Sequence, residues 1–193
     1  MAEHAGSNEV FWVDPKLRGI LPLDNLHISK SLRKRIRKGG FEVRVNHRFV
    51  DVVRSCADRD ETWINAQIMA LYNDLHRTGY AHSVEVWIDN QLAGGLYGVA
   101  LGGAFFGESM FSRRPDASKI AMVYLVARLR AGGFKLLDTQ FVTDHLERLG
   151  AVEVPRVNYH VLLEDALKQP ADFWRLPQGS DPHCVLQFST QTS

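Results

Sequence analysis

SVEVWIDNQLAGGLYGVALGGAFFGESMF, residues 83–111, decides the fold. It holds three strand-like runs, SVEVWID, QLAGGLYGVAL and AFFGESMF, joined through Asp89-Asn90 and Gly102-Gly103. Asp, Asn and Gly are the residues that fill the positive-φ positions of tight hairpin turns, so the runs read as an antiparallel meander. The apolar part, Leu92 to Phe106, is too short and too often broken by glycine to span a bilayer as a helix.

Downstream, Ala117 to Ala131 reads as a helix ended by Gly132-Gly133. A short strand FKLLDTQ, a helix from about Val142 to Leu149 and a strand through NYHVLLE follow, and the tail PQGSDPHCVLQFSTQTS reads as irregular. Upstream, PKLRGILPLDNLHIS reads as extended. Ser29 then caps a helix with Leu32 and Ile36 on one face and Lys30, Arg33, Lys34, Arg35, Arg37 and Lys38 around the rest, closed by Gly39-Gly40. FEVRVN alternates as a strand, CADRDE is a polar loop, and Ile64, Ile68, Leu71, Tyr72 and Leu75 have helical spacing. We place a domain boundary in the loop, giving a small N-terminal domain at 1–60 with the basic helix and a larger domain at 61–193. The element order predicts an α/β (α+β) class with a mixed, largely antiparallel sheet of the kind found in GNAT acyltransferases.

The 193 residues are 45% hydrophobic, enough for a sizeable core. Charged residues make up 23% with a net charge of only +1, so any nucleic-acid-binding surface must be a local basic patch. Cys56 and Cys184 are far apart and lack metal-ligand spacing, which predicts neither a disulfide framework nor a metal site. The short polar start, Met1 to Asn8, carries no export signal, so the expectation is a soluble cytoplasmic protein with no membrane partner. A monomer is the favoured state, although the sequence leaves oligomerisation open.

Three polar residues stand out in apolar strands. Asp138 and Gln140 are two apart in LLDTQ, which puts both side chains on one face. Asp138 could equally begin a turn or cap the next helix. Glu108 lies in GESMF, where a carboxylate needs a partner or a task, and a structural salt bridge would also satisfy it. His76, His82 and His145 have neither metal-pair nor triad spacing, and Ser109 lacks a nucleophile elbow. We read the histidines as structural, with His82 near the site.

The blocks ETWINAQIMALYNDLHRTGYAHSVEVW, LAGGLYGVALGGAFFGESMFSRRPDASKIAM and LLDTQFVTDHLERLGA resemble the leucyl/phenylalanyl-tRNA–protein transferase family, from RGILPLD to about Arg156. The resemblance implies a small N-terminal domain, a GNAT-like catalytic domain and no metal or coenzyme A. It implies transfer of Leu or Phe, and sometimes Met, from aminoacyl-tRNA to proteins beginning with Arg or Lys, which marks them for N-end rule degradation. SRRPDAS also lacks the glycine-rich loop that cradles a coenzyme pyrophosphate.

The same resemblance implies site roles. Asp138 would orient Gln140 and the incoming amine, Gln140 would hydrogen-bond the attacking nitrogen, and Glu108 would contact a substrate amino group. Whether Asp138 is a general base, and which carboxylate reads the acceptor side chain, stay open. Phe105, Met110, Leu125, Leu129 and Leu137 are candidates for the donor side-chain pocket, and each is also a candidate core residue. Trp63 and Trp12 would stack on the terminal adenosine, with a core anchor as the other reading of Trp63. The helix from Lys30 to Lys38, with Arg113, Arg114 and Lys119, would follow tRNA phosphates or else form a solvated face. The competing functions are a GNAT-type N-acyltransferase using coenzyme A and a non-catalytic tRNA-binding module.

Overall fold

The structure, a computed structural model, describes residues 13–59 and 62–190. In chain order the elements are β1 (Leu17–Ile20), α1 (Lys30–Lys38), β2 (Glu42–Val45), α2 (Phe49–Ala57), α3 (Ala66–Arg77), β3 (Ala81–Ile88), β4 (Gln91–Leu101) and β5 (Ala104–Ser112). They continue with α4 (Ala117–Ala131), β6 (Leu136–Gln140), α5 (Asp144–Glu147), β7 (Val152–Pro155), α6 (Arg156–Lys168) and α7 (Pro182–Thr190). The strands form one sheet in the order β2-β3-β4-β5-β6-β1-β7. All pairs are antiparallel except β5 with β6, so the expected mixed, largely antiparallel α/β class holds.

The meander forms for the local reasons its sequence suggests. Asp89 and Asn90 turn between β3 and β4 with φ of 50° and 59°, the doubly left-handed turn that matches strand twist. Gly94 lets α4 lie close on β4, because a Cβ there would sit 2.6 Å from that of Ala117. α4 is buried around most of its circumference, from Ile120 and Val123 to Leu125 and Leu129, so it needs cover on the side away from the sheet.

That cover is α7, and it corrects the expectation of an irregular tail. Val185 and Leu186 are buried, and Ser189 Oγ donates to Val123 O at 3.2 Å. Arg128 holds the segment leading to α7 by donating to the carbonyls of Phe173 and Leu176 at 2.9 and 2.6 Å. A second correction concerns NYHVLLE, which lies within helix α6. Tyr159, Leu163 and Ala166 face the protein at helical spacing, while Val157, Val161 and Leu162 are exposed, and this all-round apolar composition imitates a buried strand. The strand of this region is β7. α2 is an element beyond the sequence expectation, and Phe49, Val52, Val53 and Cys56 have helical spacing there and are all buried.

β1 and β2, both from before residue 60, are strands of the common sheet, and Leu32 and Ile36 of α1 share a core cluster with α4. Among the described residues no helix is long and apolar enough to cross a membrane.

Candidate active site

The site lies where the parallel pair ends. β5 and β6 pair as far as Phe106↔Asp138 and then stop, although β5 runs on to Ser112 and β6 to Gln140. Both strands are irregular at this point. Against β4, Gly98 pairs with Gly107 and Tyr97 with Ser109, which leaves Glu108 as an extra residue of β5. Against β1, Ile20 pairs with Asp138 and Gly19 with Gln140, which leaves Thr139 extra. Bulges of this kind re-aim side chains. Gly98 is required opposite the first one, since a Cβ there would run into the Phe106 carbonyl and the Phe105 ring.

Asp138 is fully buried and has four donors. Arg18 Nε lies 3.1 Å from both carboxylate oxygens and Arg18 Nη2 2.9 Å from Oδ2, the Tyr159 hydroxyl donates to Oδ2, and the Gln140 backbone N–H donates to Oδ1 at 2.6 Å. A buried carboxylate is tolerable only with such pairing. Burial opposes the Arg18 charge, but the hydrogen bond and charge of Asp138 outweigh it and hold the guanidinium pKa above its usual value. Burial, then the bond to Asp138, raises the Tyr159 pKa and keeps its hydroxyl protonated. Gln140 adopts φ 64°, a conformation that costs a non-glycine residue energy and that its bond to Asp138 offsets.

Held this way, the Gln140 side chain crosses the gap and Nε2 donates to Glu108 Oε2 at 3.0 Å. Glu108 is half-buried. Burial pushes its carboxyl above the usual range, aided by the charge of Asp138 and opposed by hydrogen bonds from Tyr72 and Gln140 and the charge of Arg18.

Two cavities meet at this pair. One, of about 350 Å³, is lined by Leu96, Met110, Met122, Leu125, Leu137 and Leu146, with Arg59 and His145 also in its wall. The other, of about 550 Å³, is walled by Arg18, Ile68, Leu71, Tyr72, Leu101 and Phe106 among others. Trp63, Glu108, Gln140 and Phe141 border both, and among the described residues Glu108 is the one carboxylate in either wall. Tyr97 Oη, Thr139 Oγ1 and His145 Nε2 are buried without a partner among the described residues, and all three residues line the first cavity.

The sequence expectations meet this geometry as follows. Asp138, Gln140 and Glu108 come together, and Met110, Leu125 and Leu137 line one cavity. Phe105 and Leu129 do not: both are fully buried, and Phe105 stacks on Phe173 with ring centroids 5.7 Å apart. Trp63 borders both cavities, whereas Trp12 lies outside the described residues. His82 lines neither cavity and stacks on Phe173 at 4.0 Å. In α1, Lys30, Lys34, Arg37 and Lys38 are exposed and Arg33 and Arg35 half-buried, and none joins an ion pair among the described residues. Arg113 and Arg114 are exposed, and Lys119 pairs with Asp116 at 3.0 Å. The start of α4 uses its own donors, the Ser118 N–H on Ser112 Oγ and the Ala117 N–H on Arg114 O. Sequence reasoning missed Arg18 and Tyr159, which bind Asp138, and Tyr72, read as an apolar helix-face residue.

Two cavities that meet at one acid–amide pair are the layout of a group-transfer enzyme with two substrates. A model of the family described as leucyl/phenylalanyl-tRNA protein transferase matches residues 20–164. Proteins named leucyl/phenylalanyl-tRNA–protein transferase from Ruegeria sp. (strain TM1040) and Ruegeria pomeroyi are 58% and 57% identical over 193 residues, which is 100% of this chain and 91% of each relative. The chain belongs to the leucyl/phenylalanyl-tRNA–protein transferase family. Among solved structures, L-PGS from Bacillus licheniformis aligns with a TM-score of 0.44 and 14% identity over 68% of this chain and 50% of that one.

Proposed function

We propose that the chain moves a leucyl or phenylalanyl group, and methionyl as a further donor, from aminoacyl-tRNA to the α-amino group of a protein beginning with Arg or Lys. The observation that carries this reading is the Gln140–Glu108 hydrogen bond in the partition between the cavities. The first cavity, with Met110, Met122, Leu125, Leu137 and Leu146 in its wall, suits the donor side chain, whose burial is worth roughly 1.5 to 3 kcal/mol. Since Gln140 Nε2 is committed to Glu108, Oε1 is left to accept an N–H of the incoming amine. The amine nitrogen bonds to the ester carbonyl carbon, the bond from that carbon to the ribose oxygen breaks, and the proton lost by the amine ends on that oxygen. Glu108, with its raised pKa, is suited to carry the proton between them.

Asp138 is saturated by its donors, so it acts through Gln140 and does not touch the amine. Among the described residues of the two walls, Glu108 then remains as the carboxylate able to favour a cationic acceptor. Trp63 stacks on the terminal adenosine, and α1 with Arg113, Arg114 and Lys119 follows tRNA phosphates. The setting is the cytoplasm and the product a substrate of N-end rule degradation.

The test is transfer of labelled leucine from Leu-tRNA to peptides differing only in an N-terminal Arg or Ala, with no coenzyme A added. Label confined to the Arg peptide supports the reading, and equal labelling of both contradicts the acceptor preference. For α1, replacing Arg33, Lys34 and Arg37 with Glu should weaken tRNA binding and flatten its salt dependence. Unchanged binding would make α1 a solvated face.

A further inference from the structure

We infer that Arg59 holds the phosphate linking the donor's 3′-terminal nucleotide to the rest of its strand, an inference that rests on the aminoacyl-transfer reading above. Arg59 follows the end of α2, is exposed and lines the first cavity, that of Leu125 and Met110. Its Nη2 donates to Ser109 Oγ at 3.2 Å and to the Met110 carbonyl, so the guanidinium is tied to β5 one and two residues beyond Glu108. At about 3.3 Å per strand residue, that anchor is roughly 7 Å along β5 from the reacting pair.

A guanidinium offers five donors in a planar fork suited to phosphate. Only Nη2 of Arg59 is used among the described residues, and no ion pair among them involves it. The other guanidinium bordering the cavities, that of Arg18, is committed to Asp138. The donor supplies the matching anion. With the ester at Gln140 and Glu108 and the aminoacyl side chain in the cavity of Leu125 and Met110, the ribose leads out of that cavity toward solvent. Its 5′-phosphate, one sugar away from the reacting oxygen, is the first charge on that path. Tethering to Ser109 and Met110 fixes the fork beforehand and lowers the entropic cost of the contact.

The experiment compares two donors, leucyl-adenosine and cytidylyl-(3′→5′)-leucyl-adenosine, which differ by one phosphodiester-linked nucleotide. Arg59→Ala should lower kcat/KM for the phosphate-bearing donor about tenfold more than for the nucleoside donor, the scale of a charge-assisted hydrogen bond. Arg59→Lys should recover part of that difference, and added salt should erode it in the wild type. The result is a ratio of two donors on one preparation, so a partly misfolded variant does not disturb it. Equal losses on both donors would overturn the inference and leave Arg59 as a strut for β5. Wild-type enzyme that transfers from no donor, Leu-tRNA included, would instead overturn the aminoacyl-transfer reading itself.

Discussion

The backbone N–H of Gln140 donates to Asp138 Oδ1 at 2.6 Å, closing a small ring within the chain that holds Gln140 at φ 64°. Asp138→Asn keeps the shape but removes the charge that Arg18 and Tyr159 both address. Breaking a buried pair in this way costs about 3 to 5 kcal/mol. We expect a lower denaturation midpoint and slower turnover with tRNA affinity retained. Tyr159→Phe should do the same on a smaller scale, about 1.5 to 3 kcal/mol for one bond to a charged group. A turnover number equal to wild type in both variants would remove this network from the mechanism.

Leu125 and Leu129 lie one turn apart on α4, yet only Leu125 lines the cavity. Leu125→Phe should narrow the pocket and shift the Leu-to-Phe donor preference toward Leu by roughly tenfold, since about 1 to 3 kcal/mol attends each methylene of fit. Leu129→Ala should cost about 2 to 5 kcal/mol of stability and leave the donor ratio alone. Competition between Leu-tRNA and Phe-tRNA reads the donor ratio of each variant and urea unfolding reads its stability, and a donor shift in the Leu129 variant would contradict the assignment.

Much of this arrangement is legible in the sequence wherever the signal is local. The Asp89-Asn90 turn, the Ser29 cap and the Gly132-Gly133 end of α4 follow from residues near in sequence, and Ser29 Oγ does accept the Leu32 N–H at 3.2 Å. Glu108 and Gln140 were conspicuous as polar residues in apolar strands. Arg18 was not, because its partner lies 120 positions away and no local pattern marks such a contact. Reading α6 as a strand hid Tyr159 as well. α7 was missed because its cause lies elsewhere, in an α4 too apolar to face water.

His82 gives a pH dependence. It is buried against Phe173, its Nδ1 is 3.0 Å from Asn46 Nδ2, and its pKa is lowered to about 4 by burial first and then by the charges of His76 and Arg128. A depressed pKa means that the unfolded chain takes the proton first, so this stability is present above the ordinary pKa of 6.5 and lost as pH falls toward 4. The full loss is up to about 3 kcal/mol. Urea melts from pH 7 to pH 4 should show a steeper fall in the wild type than in His82→Gln, and parallel slopes would contradict it.

The central claim is that Gln140, its backbone N–H held by Asp138 and its side-chain amide by Glu108, holds the attacking amine. The direct measurement is the single-turnover rate of leucine transfer to an Arg-initiated peptide by Gln140→Ala, with Leu-tRNA affinity measured on the same preparation. The account predicts a rate lower by about 10² or more with affinity preserved, the scale of lost proton-transfer and positioning assistance. A rate within twofold of the wild type would contradict it.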